Sequence, residues 1–214
     1  MQLIGMLDSP YVRRVAVSLQ FLGMPFQHRP LSVFRTFEEF HAINPVVKAP
    51  TLVLDDGTVL MDSTLILDYL EHLAPAERSL MPQATHSRGA ALRLIGLALA
   101  ACEKSVQIIY ERNLRPATKM HAPWSERVTG QLLAAYGALE EELEPLLARL
   151  GGGRITQAHI TVAVAWHFTQ QMLPEVVPAA SCSTLVAFGA HHERLPQFAR
   201  APHGDGTCSA APGR

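Results

Sequence analysis

The period of hydrophobic and polar positions changes along the chain and divides it in two. Through about residue 75, short apolar runs alternate with short amphipathic stretches. Residues 2–7 form a strand-like run that ends at Asp8-Ser9-Pro10. Residues 11–22 then carry apolar side chains at 12, 15, 16, 19 and 22, a helical spacing. Gly23-Met24-Pro25 stops that helix, with Gly just past its end and Pro beyond. A second strand is predicted over 26–31, and a short helix over 37–43 is closed by Asn44-Pro45. Two apolar runs, 51–54 and 58–61, flank Asp55-Asp56-Gly57 and predict a hairpin. A helix over 63–73 follows, with Leu65, Ile66, Tyr69, Leu70 and Leu73 on its apolar side. The order βαβ, helix, ββα predicts a parallel strand pair joined through a helix, with an antiparallel hairpin at the edge.

From about residue 79 the pattern is helical throughout. An Ala- and Leu-rich helix over 87–114 stops near Pro116. Pro123 and Trp124 open another that runs to Leu150, with Pro145 expected to kink its last turns. Gly151-Gly152-Gly153 breaks it, and 155–173 is apolar enough to be buried on most sides. A further helix is predicted over 184–192. Pro75 and Pro82 interrupt the pattern between the halves. The expected organisation is an α/β domain at 1–75, a linker at 76–86 and an all-α domain at 87–200. A flexible tail is expected at 201–214, whose Gly, Pro, Ala and Ser have little to bury.

Composition removes several classes of function. The 214 residues are 48% hydrophobic, which supports a packed core. Eighteen basic against 19 acidic residues leave no excess positive charge for a nucleic-acid partner. No run reaches the ~18 apolar residues that a membrane helix needs. Met1-Gln2-Leu3-Ile4 lacks the basic flank and apolar core of a secretory signal. Cys102, Cys182 and Cys208 are odd in number and far apart, so neither a disulfide framework nor a thiolate zinc site is indicated. A cytoplasmic protein without a bound metal is expected.

Three short motifs can carry chemistry, and each also has a plain structural reading. Ser9-Pro10 at the mouth of a helix is what an ordinary N-cap with Pro at the first helical position looks like. The same hydroxyl, beside a positive helix end, can donate to a thiolate and lower the thiol pKa. In Asn44-Pro45-Val46-Val47-Lys48-Ala49-Pro50, Pro50 precedes an apolar strand, where a cis bond would turn the Ala49 backbone toward an extended ligand. Lys48 is either a solvated lysine or one beside a ligand-binding edge. Asp62-Ser63 caps a helix, and the pair can equally hold the charged end of an amino acid. The Ser63 hydroxyl and helix amides would then take the carboxylate and Asp62 the ammonium.

The order and intervals of Ser-Pro-Tyr-Val-Arg-Arg, Asn-Pro-x-x-Lys-x-Pro-x-Leu and Asp-Ser resemble the thioredoxin-like domain of the glutathione S-transferases. The helical remainder is similar to that family's C-terminal domain, and the likeness runs to about residue 200. It is most like bacterial members with an N-terminal serine. The resemblance implies that Ser9 stabilises the glutathione thiolate and that the Ala49 backbone pairs with the cysteinyl part. Pro50 would be the cis-proline, Asp62 and Ser63 would hold the γ-glutamyl end, and Lys48 would lie near the glycyl carboxylate. Tyr110, on a helix that lines the electrophile pocket in this family, becomes a candidate for that role, with ordinary packing as its alternative. A homodimer is implied as well.

The implied reaction is attack of the thiolate on a small electrophile. With serine and valine where a glutaredoxin-type Cys-Pro-Tyr-Cys has cysteines, no protein thiol is available for disulfide exchange at this place. Glutathione-dependent isomerisation or peroxide reduction needs the same pocket and stays open. So does a non-catalytic binding protein that keeps the fold for association. One departure concerns the helix near 157. The family opens it with Ser/Thr-x-x-Asp, and here Thr156-Gln157-Ala158-His159 puts imidazole in place of carboxylate. A neutral imidazole is expected to cap less well, at a cost of about 1 kcal/mol. His191-His192-Glu193 is not read as a metal site, because adjacent helical residues point to different faces.

Overall fold

In a computed structural model, which describes residues 1–150 and 153–209, the chain divides into two compact units. One is Met1–Leu80 with Glu193–Arg214, and the other is Met81–His192. In the first unit, β1 (Gln2–Ile4) pairs in parallel with β2 (Gln27–Arg29) and antiparallel with β3 (Thr51–Val53). β3 in turn pairs antiparallel with β4 (Val59–Met61), which gives the sheet order β2-β1-β3-β4. α1 (Pro10–Leu22), α2 (Phe37–Ile43) and α3 (Ser63–Leu73) complete the α/β arrangement that the sequence predicts.

α1 is buried around nearly its whole circumference. Val12, Val15, Ala16, Val17 and Leu19 have no exposed surface, and Arg13 and Arg14 are only 2% exposed. A merely amphipathic helix would leave those arginines in water. Arg14 is covered by the start of α3, where it meets Ser63 and Thr64, and Arg13 by residues 193–201, which fold back onto α1. The Arg13 Nη1 and Nη2 groups donate to the two Glu193 carboxylate oxygens at 2.7 Å each, and Nε donates to the Ala201 carbonyl at 2.8 Å. The guanidinium also sits 5.8 Å from the ring of Phe198, in the short helix α8 (Pro196–Ala199). Phe198 meets Phe21 of α1 edge to face.

Of the tail expected at 201–214, residues through Ser209 make contacts within the first unit. The Ser209 amide donates to the Arg200 carbonyl, the Cys208 amide to His28 Nδ1, and Gln20 Nε2 to the Ser209 carbonyl. These contacts use mostly backbone groups, which composition does not report. Residues 210–214 lie outside the described residues. The expected linker, up to Leu80, belongs to the first unit, where the Glu71 carboxylate accepts from the Leu80 amide and the Ser79 hydroxyl. On α3 the buried face is Ser63, Ile66, Leu67 and Leu70, while Leu65 and Leu73, expected on the apolar side, are exposed.

The second unit is helical. α4 (Thr85–Leu114) packs on α5 (Ala122–Arg149) and on α6 (Gln157–Met172). Pro145 lies within α5, which continues past it to Arg149. Of the expected glycine breaker, Gly151 and Gly152 lie outside the described residues, and Gly153 has φ +95°. A buried hydroxyl relay joins the three helices. Ser105 Oγ lies 2.8 Å from Thr169 Oγ1, which lies 2.7 Å from the Tyr136 hydroxyl, and that hydroxyl donates to the Ala165 carbonyl. α7 (Ser183–Glu193) is capped by Glu140 of α5, whose carboxylate accepts from the Thr184 and Leu185 amides. Among the described residues no helix is long and apolar enough to cross a membrane.

The cap of α6 is completed by the imidazole of His159. The His159 Nδ1 accepts from the Thr156 amide at 3.2 Å and lies 2.9 Å from Thr156 Oγ1, so imidazole completes the capping box. Its ring stacks on Phe188 and lies 5.6 Å from the ring of His192. Burial, assisted by the charge on His192, lowers the His159 pKa to about 4 and keeps Nδ1 an acceptor. The unfolded chain takes up this proton near pH 6.5, well before the folded chain does. The stabilisation is thus complete above pH 6.5 and is lost as pH falls toward 4, by about 2–3 kcal/mol between pH 7.5 and 4.5. Urea unfolding at those two pH values will register the loss, and His159→Gln will reduce it.

Candidate functional site

Ser9 caps α1 from an extended backbone (φ −75°, ψ 123°), with Pro10 next to it. Its Oγ accepts from the Val12 amide at 3.4 Å. A hydroxyl has two acceptor lone pairs and one proton, so capping uses a lone pair and leaves the proton for an outside acceptor. The two readings of Ser9 are therefore compatible. No acidic residue lies in the first turn of α1 to offset the partial positive charge of its amides.

The residues beside Ser9 include a cluster that sequence reasoning missed. The protein mass packed round the Asp8 carboxyl raises its pKa; His203 opposes that rise and Asp205 adds to it. His203 donates to the Asp8 backbone, and burial lowers its own pKa. Asp205 pairs with Arg35 at 3.1 Å. His203 and Asp205 belong to the returning C-terminal segment, which carries no periodic signal in the sequence.

The loop before β3 is specified by two buried side chains. Asn44 Nδ2 donates to Thr51 Oγ1 at 2.8 Å, and that hydroxyl donates to the Lys48 carbonyl at 2.8 Å. Asn44 Oδ1 accepts from the Val46 amide. The Ala49–Pro50 peptide is cis. Below the loop lies Gly5, at φ +134°, where a Cβ would stand 2.6 Å from Val12 Cγ2 and 3.2 Å from the Ala49 methyl. Glycine is required here because β1, α1 and the loop converge on one point. His28 Nε2 donates to the Gly5 carbonyl at 2.8 Å, a tautomer set by the Cys208 amide on Nδ1. Burial lowers the His28 pKa and favours this neutral form.

Asp62 caps α3, and its Oδ1 accepts from the Thr64 amide at 2.9 Å. Its other oxygen lies 4.0 Å from Lys48 Nζ, with both side chains about half exposed. Ser63 is 4% exposed, and its Oγ accepts from Arg14 Nη1 at 3.0 Å. Among the described residues only Val47 (φ +51°) and Asp62 (φ +71°) are non-glycine residues at positive φ. Such conformations cost about 1–3 kcal/mol and persist where the surroundings over-determine them, often at functional sites. Val47 precedes Lys48, and Asp62 is the other member of the Lys48–Asp62 pair.

The first unit thus brings together Ser9, the 48–50 loop and Asp62-Ser63 around the opening turns of α1. Val12 and Gly5 link α1 to Ala49, and Arg14 links it to Ser63. Tyr110 lies on α4 in the second unit and is 44% exposed. His192 is turned inward, its Nδ1 donating to the Phe188 carbonyl, and Glu193 is engaged by Arg13. Among the described residues no group of three or more His, Cys, Asp or Glu side chains is arranged to hold a metal ion. Chemically, a hydroxyl proton at a positive helix end suits a thiolate, and a carboxylate beside a second helix start suits a zwitterion.

Comparison with known proteins follows the same division. Residues 3–78 match the family model described as the glutathione S-transferase N-terminal domain. A glutathione transferase family member from Pseudomonas fluorescens Pf-5, solved with bound glutathione, is 30% identical. The likeness covers 92% of this chain and 96% of that one, with a TM-score of 0.80. A glutathione S-transferase from Methylobacterium radiotolerans, in complex with glutathione sulfonate, is 25% identical over 100% of this chain and 98% of that one, TM-score 0.84. Among curated proteins, maleylacetoacetate isomerase of Rattus norvegicus is 24% identical, covering 70% of this chain and 69% of its own. The first curated relatives are matched over 69%, 61% and 60% of their own lengths.

The convergence at Gly5 is directly testable. Gly5→Ala combines an unfavourable φ with overpacking against Val12, so the free energy of unfolding in urea will fall by about 2–3 kcal/mol.

Proposed function

Because the chain belongs to the glutathione S-transferase family, we propose that it is a glutathione transferase in which Ser9 keeps the glutathione sulfur as a thiolate. The observation that carries this reading is the meeting of Ser9, the Lys48-Ala49-Pro50 loop and Asp62-Ser63 around one helix start. Each has a matching part of glutathione. The Ser9 proton is donated to the sulfur, while the α1 amides favour its negative charge. The Ala49 backbone, beside Pro50, pairs with the cysteinyl residue. Asp62 accepts from the γ-glutamyl ammonium, and Ser63 with the α3 amides takes the neighbouring carboxylate. Lys48 turns to the glycyl carboxylate, and leaving Asp62 costs little because exposed ion pairs are weak.

In the conjugation reaction the sulfur electron pair forms a bond to an electrophilic carbon. The leaving group departs with its own bonding pair, or an activated double bond takes up the electrons and then a proton. Ser9 forms no covalent bond. Tyr110, exposed on α4, is assigned to the surface that receives the electrophile. A homodimer in the cytoplasm belongs to the same reading, and sedimentation at micromolar concentration measures its mass.

The rat relative's name, maleylacetoacetate isomerase, favours a second reading on the same site. There the thiolate adds to a conjugated double bond, the bond rotates, and expulsion of the sulfur regenerates glutathione. The two reactions differ in stoichiometry. Conjugation consumes one glutathione per turnover and isomerisation consumes none.

Ultraviolet difference titration of glutathione into the protein at pH 6.5 will show thiolate absorbance, since free glutathione is mostly thiol there. Ser9→Ala will abolish that signal and lower the rate more than about tenfold, the scale of one lost charge-assisted hydrogen bond. An unchanged rate removes Ser9 from the mechanism.

A further inference from the structure

Arg14 is a buried cation aimed at the start of α3. The residue is 2% exposed, and Nη1 donates to Ser63 Oγ at 3.0 Å and lies 3.4 Å from Thr64 Oγ1. These are hydroxyls of the first turn of α3, the turn that Asp62 caps. Guanidinium can only donate, so its contact occupies a lone pair on Ser63 Oγ and leaves the hydroxyl proton to point elsewhere. Donation from a cation also polarises that O–H and makes it a stronger donor. An anion at this helix start meets the Ser63 hydroxyl and the positive helix end, with a full positive charge one hydroxyl behind.

Asp62 supplies the opposite preference. One of its oxygens accepts from the Thr64 amide, and the other faces outward near Lys48. A negative and a positive locus thus lie at adjacent residues, a match for the ammonium and carboxylate of one amino-acid head. We propose that Arg14 is a positioning residue for the γ-glutamyl carboxylate. It orients the Ser63 hydroxyl and supplies the buried charge that makes the α3 start prefer a carboxylate to a neutral amide. This inference rests on the glutathione reading above and adds to it a residue that selects for the ligand's charge.

The test is calorimetric binding of glutathione and of its analogue with the γ-glutamyl α-carboxylate converted to a carboxamide. Wild type will prefer glutathione by tenfold or more. Arg14→Met will raise the glutathione Kd about tenfold and leave the analogue's Kd unchanged within about twofold. In turnover, KM for glutathione will rise while kcat at saturation is kept. Arg14→Lys, which retains the charge, will recover part of the preference. Equal weakening of both ligands by Arg14→Met, or no weakening of either, overturns the proposal. If Arg14→Met does not fold, Arg14→Lys is compared in wild-type and Ser63→Ala backgrounds. Loss of its effect on the glutathione Kd without Ser63 supports the proposal, and an undiminished effect overturns it. Failure of the wild type to bind glutathione overturns the proposed function and this inference with it. Binding without a carboxylate preference overturns this inference alone.

Discussion

Arg13 is a charge that the first unit can bury only by bringing in a partner. It lies on the buried helix α1 and is itself only 2% exposed, so water cannot serve it. Its needs are met by the Glu193 carboxylate in a two-pronged pair and by the Ala201 carbonyl. Removing one member of such a pair is far more damaging than the pair's net contribution, because the remaining charge stays in a poor solvent. The fixed fork of the guanidinium also sets direction, which a lysine at this position would not do. The C-terminal segment is therefore held in register, and with it the His203 and Asp205 side chains beside Asp8 and Ser9.

Consecutive helical residues point about 100° apart, and α1 uses this to address three neighbours from three adjacent positions. Val12 faces Gly5 and Ala49, Arg13 faces Glu193 and Ala201, and Arg14 faces Ser63. Ser9, one turn earlier, closes the helix end. The elements that present the proposed ligand contacts are thus tied to one rigid rod. A shift of α1 would disturb the loop, the α3 start and the C-terminal segment together.

Much of this was legible in the sequence because it depends on local period. The strand and helix order of the first unit, the hairpin at Asp55-Asp56-Gly57 and the long helices of the second unit all follow from spacing and punctuation. The segments holding Ser9, Pro50 and Asp62-Ser63 were legible through their intervals. What was not legible depends on partners far along the chain. Arg13 and Arg14 look like the solvated side of α1 until Glu193 and Ser63 are placed beside them. The 201–209 segment is held largely through the Ala201 carbonyl and the Cys208 and Ser209 amides. Every residue but proline has these groups, so no composition announces their use. The part His159 plays in the α6 cap depends on burial, which keeps the ring neutral and its Nδ1 an acceptor.

The separation of Arg13 from Glu193 by 180 positions also has a consequence for biosynthesis. A ribosome adding ~5–20 residues per second delivers Glu193 roughly 10–40 s after Arg13 emerges. From about a third of the way into that interval the β-strands, α1 and α3 are all outside the ribosome, yet α1 still lacks its cover. The unit that is begun first is among the last to be finished. A gene fragment ending near residue 80 would encode every strand of this unit and still yield an α1 with a bare flank and an unanswered cation.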